Sequence, residues 1–334
     1  MKSHQVELEG ENRMNLRCAR GIALLLPALL ISSLPIVGAQ QAKPPAAAQK
    51  IQPLLKPDEI SVENDIEYAN PDDQHLKLNM ARPARGTGPF PAVVCIHGGG
   101  FRAGDRNGYN DMIRQLAQHG YVAVTVEYRL APKFPFPAAV HDVKASVRWL
   151  RANAKKYSVN PDLIGAMGGS AGANLAEMLG VTEGVRMLEG TEGSPDQSSA
   201  VQAVVSYFGP TDFTKSYGKS VDAAQVLPLY LGGDLEKARV RHLQASPLYW
   251  ITPLAAPTLC IHGTKDTYVA DEQAHWFVDK MKASGAEAEL LIMENAGHGF
   301  GGDDARRADE AMFAFFKSHL VGRGISYICV GSVY

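Results

Sequence analysis

Ser170 lies at the centre of Gly168-Gly169-Ser170-Ala171-Gly172, between an apolar run at 163–167 and a helix-forming run at 171–179. A serine on a sharp strand-to-helix turn holds its hydroxyl above the sheet edge, and the flanking glycines let strand and helix pass close together. A hydroxyl is a weak nucleophile at neutral pH, so acyl transfer at Ser170 needs a histidine base oriented by a carboxylate. Two later loops offer them. Asp266 ends His262-Gly263-Thr264-Lys265-Asp266, and His298 lies within Asn295-Ala296-Gly297-His298-Gly299-Phe300. Each follows an apolar run, so the order serine, aspartate, histidine puts the three on loops at the C-terminal ends of strands, converging on one point. The expected assignment is Ser170 as nucleophile, His298 as base and Asp266 as the acid that orients it. The oxyanion of the tetrahedral intermediate needs preorganised N–H donors. Gly99 and Gly100, in His97-Gly98-Gly99-Gly100 after the run at 92–96, are expected to supply them, with the Ala171 amide as partner.

Other residues compete for these roles. Asp212 also follows a strand-like run, but one strand too early for the acid position. His262 sits at a strand end before Gly263, where a histidine more often bonds the backbone of its own turn than acts as base. Asp271 falls in the following helix and points away, and His97 reads as structural. The glycine-rich loop matches neither dinucleotide nor P-loop spacing, so a phosphate cradle is not expected.

These residues need a scaffold of alternating strands and helices. Runs at 92–96, 122–127, 163–167, 201–207, 258–261 and 289–293 read as strands, most without strict alternation. Continuous apolar strands suit a mostly parallel sheet with helices on both faces, an α/β fold. The better alternating runs at 60–68 and 76–81 suggest an antiparallel edge. The clearest helix is 137–157, with Val140, Val143, Val147, Leu150 and Ala154 on one stripe and Lys144, Arg151 and Lys155 expected to face outward. Two stretches break the alternation: a polar, glycine-rich one at 184–199, and 213–250, far longer than the usual connection of about 2 to 6 residues. Both are expected on the sheet's C-terminal side, as a lid or one wall of the substrate pocket, with 213–250 a small lid-like insertion offering Tyr217, Leu229, Tyr230 and Trp250 to a substrate. Tyr128-Arg129-Leu130-Ala131-Pro132 is expected to buttress the oxyanion loop, with Arg129 paired to Asp105 or Asp142.

With 46% hydrophobic and 20% charged residues in 334, the composition suits one large globular domain. A formal charge of −2 without basic runs argues against nucleic acid as a partner. Arg13, Arg17 and Arg20 precede an apolar stretch at 21–37 that ends in Val37-Gly38-Ala39, the layout of a secretory signal peptide. Cleavage is expected after Ala39, giving a secreted or periplasmic protein with no membrane attachment. The expected organisation is a signal at 1–39, a flexible leader at 40–57, a catalytic domain at 58–320 and a tail at 321–334. Cys18 leaves with the signal, Cys95 and Cys260 read as buried small hydrophobes, and Cys329 is free to pair. No metal site matches these spacings.

The motifs His97-Gly98-Gly99-Gly100, Tyr128 to Pro132 and Gly168 to Gly172 resemble those of the hormone-sensitive-lipase-like esterases. Val147 to Asn153, Leu188-Glu189-Gly190 and Tyr207-Phe208-Gly209-Pro210-Thr211-Asp212-Phe213 resemble more closely the bacterial BD-FAE-type carbohydrate esterases, which include feruloyl- and acetyl-xylan-esterase-like proteins. The likeness spans about 60–320. It implies the α/β-hydrolase fold, the Ser170, Asp266, His298 set, no cofactor, and ester hydrolysis through an acyl-enzyme. Where the lipase-like pattern usually carries an acidic residue before the serine, this chain has Gly169. Acetyl or feruloyl esters of plant polysaccharides are the expected substrates. The alternatives are a general short-chain carboxylesterase and a prolyl-oligopeptidase-like exopeptidase, although no paired-glutamate anchor for a free amine is recognisable.

Overall fold

The apolar runs become strands β1 (Ile60–Ala69), β2 (Leu76–Pro83), β3 (Phe90–Ile96), β4 (Val122–Val126), β5 (Val159–Gly169), β6 (Ala203–Tyr207), β7 (Thr258–Gly263) and β8 (Ala288–Met293). The structure, a computed structural model, describes residues 54–322. The expected signal peptide, most of the leader and nearly all of the tail, Cys18 and Cys329 included, lie outside the described residues. Packing begins slightly before Asp58: the Leu55 amide donates to the Gln118 carbonyl at 2.9 Å.

The strands form one sheet in the order β1-β2-β4-β3-β5-β6-β7-β8. β2 is antiparallel to both β1 and β4, and the ladders from β4 to β8 are parallel. The chain is therefore an α/β-hydrolase fold with an antiparallel edge. Register pairs Ile96 with Gly168, Gly168 with Ser206 and Tyr207 with Ile261, so the loops after β3, β5, β6 and β7 leave the same edge side by side.

The helices are α1 (Asn110–Gln118), α2 (Ala138–Ala152), α3 (Ala154–Tyr157), α4 (Ala171–Val181), α5 (Arg186–Glu189), α6 (Ala223–Leu231), α7 (Arg239–Gln244), α8 (Glu272–Ala283) and α9 (Gly302–Phe316). Strand side chains alternate between faces. Val94 and Ile96 pack with Val140, Val143 and Leu150 of α2 and Leu175 of α4, while Val93 and Cys95 pack with Ile113 and Leu116 of α1 and Phe315 of α9. Cys260 joins Phe277 and Met281 of α8, and both Cys95 and Cys260 are buried and free. Every residue of α4 is buried. Such a helix must be apolar all round, and its few polar side chains need internal partners.

The expected helix at 137–157 is divided. The Asn153 side-chain amide donates to the Trp149 carbonyl at 2.9 Å, and α3 ends at Ser158 in the left-handed conformation with φ 57°. Only Lys155 of the three expected outward residues is exposed. Arg151 reaches back to the Pro161 and Ala200 carbonyls at 3.0 and 2.9 Å. Lys144 has no exposed surface, and its ammonium donates to the Thr182 carbonyl and to Glu189 Oε1, each at 2.6 Å. Arg148 beside it donates to the Glu189 and Glu192 carbonyls at 2.8 and 2.6 Å. The cause is the segment 184–199, which lies across α2 and turns its polar face into an interior. That stretch was expected to help shape the substrate pocket, but it covers α2 instead.

Candidate active site

Ser170 is the N-cap of α4 and has φ 56° and ψ −120°, a left-handed backbone that a residue with a Cβ adopts at a cost of about 1–3 kcal/mol. Packing over-determines it. A Cβ on Gly172 would stand 2.0 Å from the Ile96 carbonyl oxygen, so α4 starts against the end of β3 at a distance only glycine permits. The Ser170 amide donates to the Tyr207 carbonyl at 2.9 Å, and the Ser170 carbonyl accepts from Asn174 at 3.1 Å. Gly169 packs against side chains where the lipase-like pattern has an acid: a Cβ there would lie 3.0 Å from the Tyr109 hydroxyl and 3.3 Å from the Phe208 ring.

The loops after β7 and β8 are tied together. Lys265 N–H donates to the Ala296 carbonyl at 2.9 Å, and Asn295 N–H to the Thr264 hydroxyl at 2.9 Å. This places His298 Nε2 2.9 Å from Ser170 Oγ and His298 Nδ1 2.7 Å from Asp266 Oδ2. The Asp266 carboxylate has no exposed surface, and its Oδ1 accepts from the Tyr268 and Val269 amides at 2.9 Å each. Burial alone would raise its pKa, but hydrogen bonds from His262, His298 and the Val269 amide hold it well below the usual carboxylate range. It is thus an anion facing the imidazole. Phe208 and Tyr268 flank His298, with ring centroids 4.7 and 5.2 Å away.

The glycine loop after β3 stands beside the serine: a Cβ on Gly98 would be 3.3 Å from the Ser170 Cβ. Gly99 has φ 116°, and its carbonyl accepts from Ala103 N–H at 3.1 Å in a turn too tight for a side chain. His97 keeps to the loop, with Nδ1 2.8 Å from the Gly98 oxygen and its ring stacked on Tyr128 at 4.3 Å. Tyr128 donates its hydroxyl to the His97 carbonyl at 2.9 Å, and Ala131 N–H reaches the Phe101 carbonyl at 2.9 Å, so the 128–132 segment does brace this loop. Arg129 pairs with Asp142 at 2.8 Å and also with Asp72, while Asp105 caps the Asn107 amide.

A cavity of 420 Å³ opens over Ser170, lined by Gly98, Gly99, Gly100, Ala171, Phe208 and His298 and walled by the insertion through Phe213, Ser216, Lys219, Ser220, Asp222, Ala223, Val226 and Leu227. None of the four insertion residues expected to meet substrate lines it. Tyr217 bonds His242 at 2.9 Å, Tyr230 stacks on Phe101 at 3.8 Å, Leu229 is exposed, and the Trp250 indole donates to the Gln244 carbonyl at 2.8 Å. On α6 the cavity instead takes Ala223, Val226 and Leu227, a choice of helix face that aromatic content does not reveal. Asp212 is buried away from His298, accepting from Thr214 and Tyr249 at 2.9 and 3.0 Å. Phe208, with φ 46°, is a site residue that its position in the 207–213 motif hinted at and nothing else did. His262, expected to bond its own turn, does so through Val269, and also approaches Asp266.

A family model described as BD-FAE matches residues 78–281. The chain belongs to the BD-FAE family. The match takes in Ser170 and Asp266; His298 lies beyond it, and the matched span is narrower than the likeness read from the motifs. This BD-FAE chain is similar to Esterase LipC of Mycobacterium tuberculosis (strain ATCC 25618 / H37Rv), 33% identical over 64% of this chain and 54% of that protein. It is also similar to the probable carboxylic ester hydrolase LipM of the same strain, 30% identical over 63% and 50%. The chain spans about half the length of these curated relatives. A truncated carbohydrate esterase from gut microbiota superposes with a TM-score of 0.70 at 25% identity, covering 80% of this chain and 99% of that one. The butyrate-bound esterase Est2 of Thermogutta terrifontis superposes at 0.66 with 27% identity, covering 80% and 98%.

Proposed function

We propose that this protein is a serine carboxylic-ester hydrolase that works through an acyl-enzyme. The observation that carries the reading is the His298 imidazole, within hydrogen-bond reach of Ser170 Oγ on one nitrogen and of a buried carboxylate on the other. Ser170 Oγ attacks the ester carbonyl carbon while His298 Nε2 takes its proton, and Asp266 stabilises the imidazolium. The amides of Gly99, Gly100 and Ala171 hold the oxyanion. The intermediate collapses as His298 returns the proton to the departing alcohol. Water, deprotonated by His298, then attacks the acyl-enzyme, and His298 gives that proton to Ser170 Oγ as the acid leaves.

Acetyl or feruloyl esters of plant polysaccharides are the proposed substrates. The family, the gut carbohydrate esterase among the structural neighbours and the hydroxyl-bearing and charged wall of Ser216, Lys219, Ser220 and Asp222 support this. A second reading, a general short-chain carboxylesterase, draws on the apolar Phe208, Phe213, Val226 and Leu227 in the same cavity and on relatives described simply as esterases. We also propose export with cleavage after Ala39, which the mass of the exported chain would test. Acid release from acetylated xylan and methyl ferulate by the chain beginning at Gln40, with Ser170→Ala as control, separates the readings. Release that depends on Ser170 supports the carbohydrate assignment, and the ratio of acetate to ferulate names the acyl group. Turnover of p-nitrophenyl acetate without release of either acid leaves the general esterase. Hydrolysis that survives Ser170→Ala overturns the mechanism.

A further inference from the structure

His262 is the last buried side chain before the Asp266 turn, with 1% of its surface exposed. Its Nε2 lies 2.9 Å from the Val269 carbonyl oxygen and 3.4 Å from Asp266 Oδ2, the oxygen that also meets His298 Nδ1 at 2.7 Å. A carbonyl and a carboxylate therefore face one imidazole nitrogen. A lone pair there would be repelled by both, so Nε2 carries the proton and shares it between them. A Cβ on the next residue, Gly263, would stand 2.4 Å from the Ala296 carbonyl oxygen, so the loops bearing Asp266 and His298 are pressed together at this point.

We propose that His262 is a positioning residue for the hydrolysis, its Nε2–H tying Asp266 Oδ2 to the Val269 carbonyl and fixing the carboxylate against His298. The inference rests on the proposed roles of Ser170, Asp266 and His298. Oδ1 of Asp266 is already held by the Tyr268 and Val269 amides. Among the described residues, Oδ2 otherwise meets only the His298 imidazole, which must pass a proton from the serine to the leaving alcohol. A second, buried imidazole on Oδ2 keeps the acid still while the base does this. It adds a donor to an anion withdrawn from water, where hydrogen bonds to charge are strongest.

The test measures kcat and KM for p-nitrophenyl acetate in His262→Phe, His262→Gln and His262→Asn, with thermal stability followed in parallel. Phenylalanine keeps the ring and removes the N–H. The glutamine amide nitrogen is as many bonds from Cβ as imidazole Nε2, and that of asparagine is one fewer. Loss of one hydrogen bond to a charged group corresponds to roughly ten- to hundred-fold in rate. His262→Phe is therefore expected to lower kcat by that factor with KM within about twofold, a split that loss of a structural contact alone would not produce. His262→Gln is expected to recover most of the loss and His262→Asn little of it. An unchanged kcat in His262→Phe, or equal losses in the glutamine and asparagine variants, overturns the proposal. If none of the variants folds, nitrogen-15 NMR of the wild-type imidazoles decides: the Nε2–H tautomer at His262 supports it, and the Nδ1–H tautomer overturns it. Ser170→Ala keeps the two readings apart. Activity that survives it sinks the mechanism, whereas activity lost with Ser170 but indifferent to His262 sinks only the positioning role.

Discussion

At the end of β7 the Asp266 carboxylate has no exposed surface, and N–H groups of Tyr268, Val269, His298 and His262 converge on it. On α4, seven residues past the serine, Glu177 is buried in the core, and among the described residues it receives only the Ser206 hydroxyl, at 2.6 Å on Oε1, while Oε2 has no partner. The first is held as an anion. The second is pushed up to about 8 by burial, which the Ser206 hydrogen bond only partly offsets, and is neutral near pH 7. Glu177 lies deeper and has fewer donors than Asp266, and burial together with donor count decides the charge of each. The proposed chemistry needs a charge at Asp266, and among the described residues no cation pairs with Glu177.

The largest expected break in this contrast is Asp266→Asn. An amide keeps the shape but discards the charge and disrupts the imidazole's tautomer, so kcat should fall about 10⁴-fold with little change in fold. Single-turnover and steady-state kinetics on p-nitrophenyl acetate measure it.

Glu177 gives the opposite test. Its unfolded pKa is near 4.5 and its folded one about 8, so between those pH values the folded state holds a proton that the unfolded state has released. Stability conferred below pH 4.5 is lost as pH rises towards 8, by up to about 4–5 kcal/mol. Denaturant midpoints at pH 5 and pH 8 should show this decline in the wild type and a much flatter response in Glu177→Gln.

A third carboxylate, partly exposed but facing two buried cations, extends the comparison. Glu189 accepts from Lys144 and Arg148, so Glu189→Gln leaves a buried ammonium without its counter-charge and should cost about 3 kcal/mol in chemical unfolding. The smallest effect is expected of Ser206→Ala, which removes the hydroxyl donor to Glu177 and should lower stability by about 1 kcal/mol at neutral pH, read from the same unfolding curves.

Much of the scaffold was legible in the sequence. The runs at 92–96 and 258–261 lie within β3 and β7, because strands covered on both faces must be apolar at every position and such runs stand out. Ser170 was legible for a related reason: a glycine is required wherever α4 meets β3, and that requirement marks the turn. Lys144 was not legible. A lysine on the polar side of an amphipathic helix looks solvated unless one knows that 184–199 lies across it. Nor did the length of 213–250 say which face of α6 meets the cavity, since Tyr230 and Leu229 look as suited to a substrate as Val226 and Leu227 do.

The sequence alone determined the order of the strands along the chain, the family motifs and the loops on which Ser170, Asp266 and His298 sit, because short-range geometry and apolar periodicity act over neighbouring residues. Only the tertiary structure decided that His262 shares a carboxylate with His298, that Glu177 stays neutral while Asp266 is charged, and which residues of the insertion line the cavity. Those outcomes depend on donors, acceptors and covering segments brought together from distant parts of the chain. Desolvation and hydrogen bonding between such groups are properties of the assembled interior, and no local pattern encodes them.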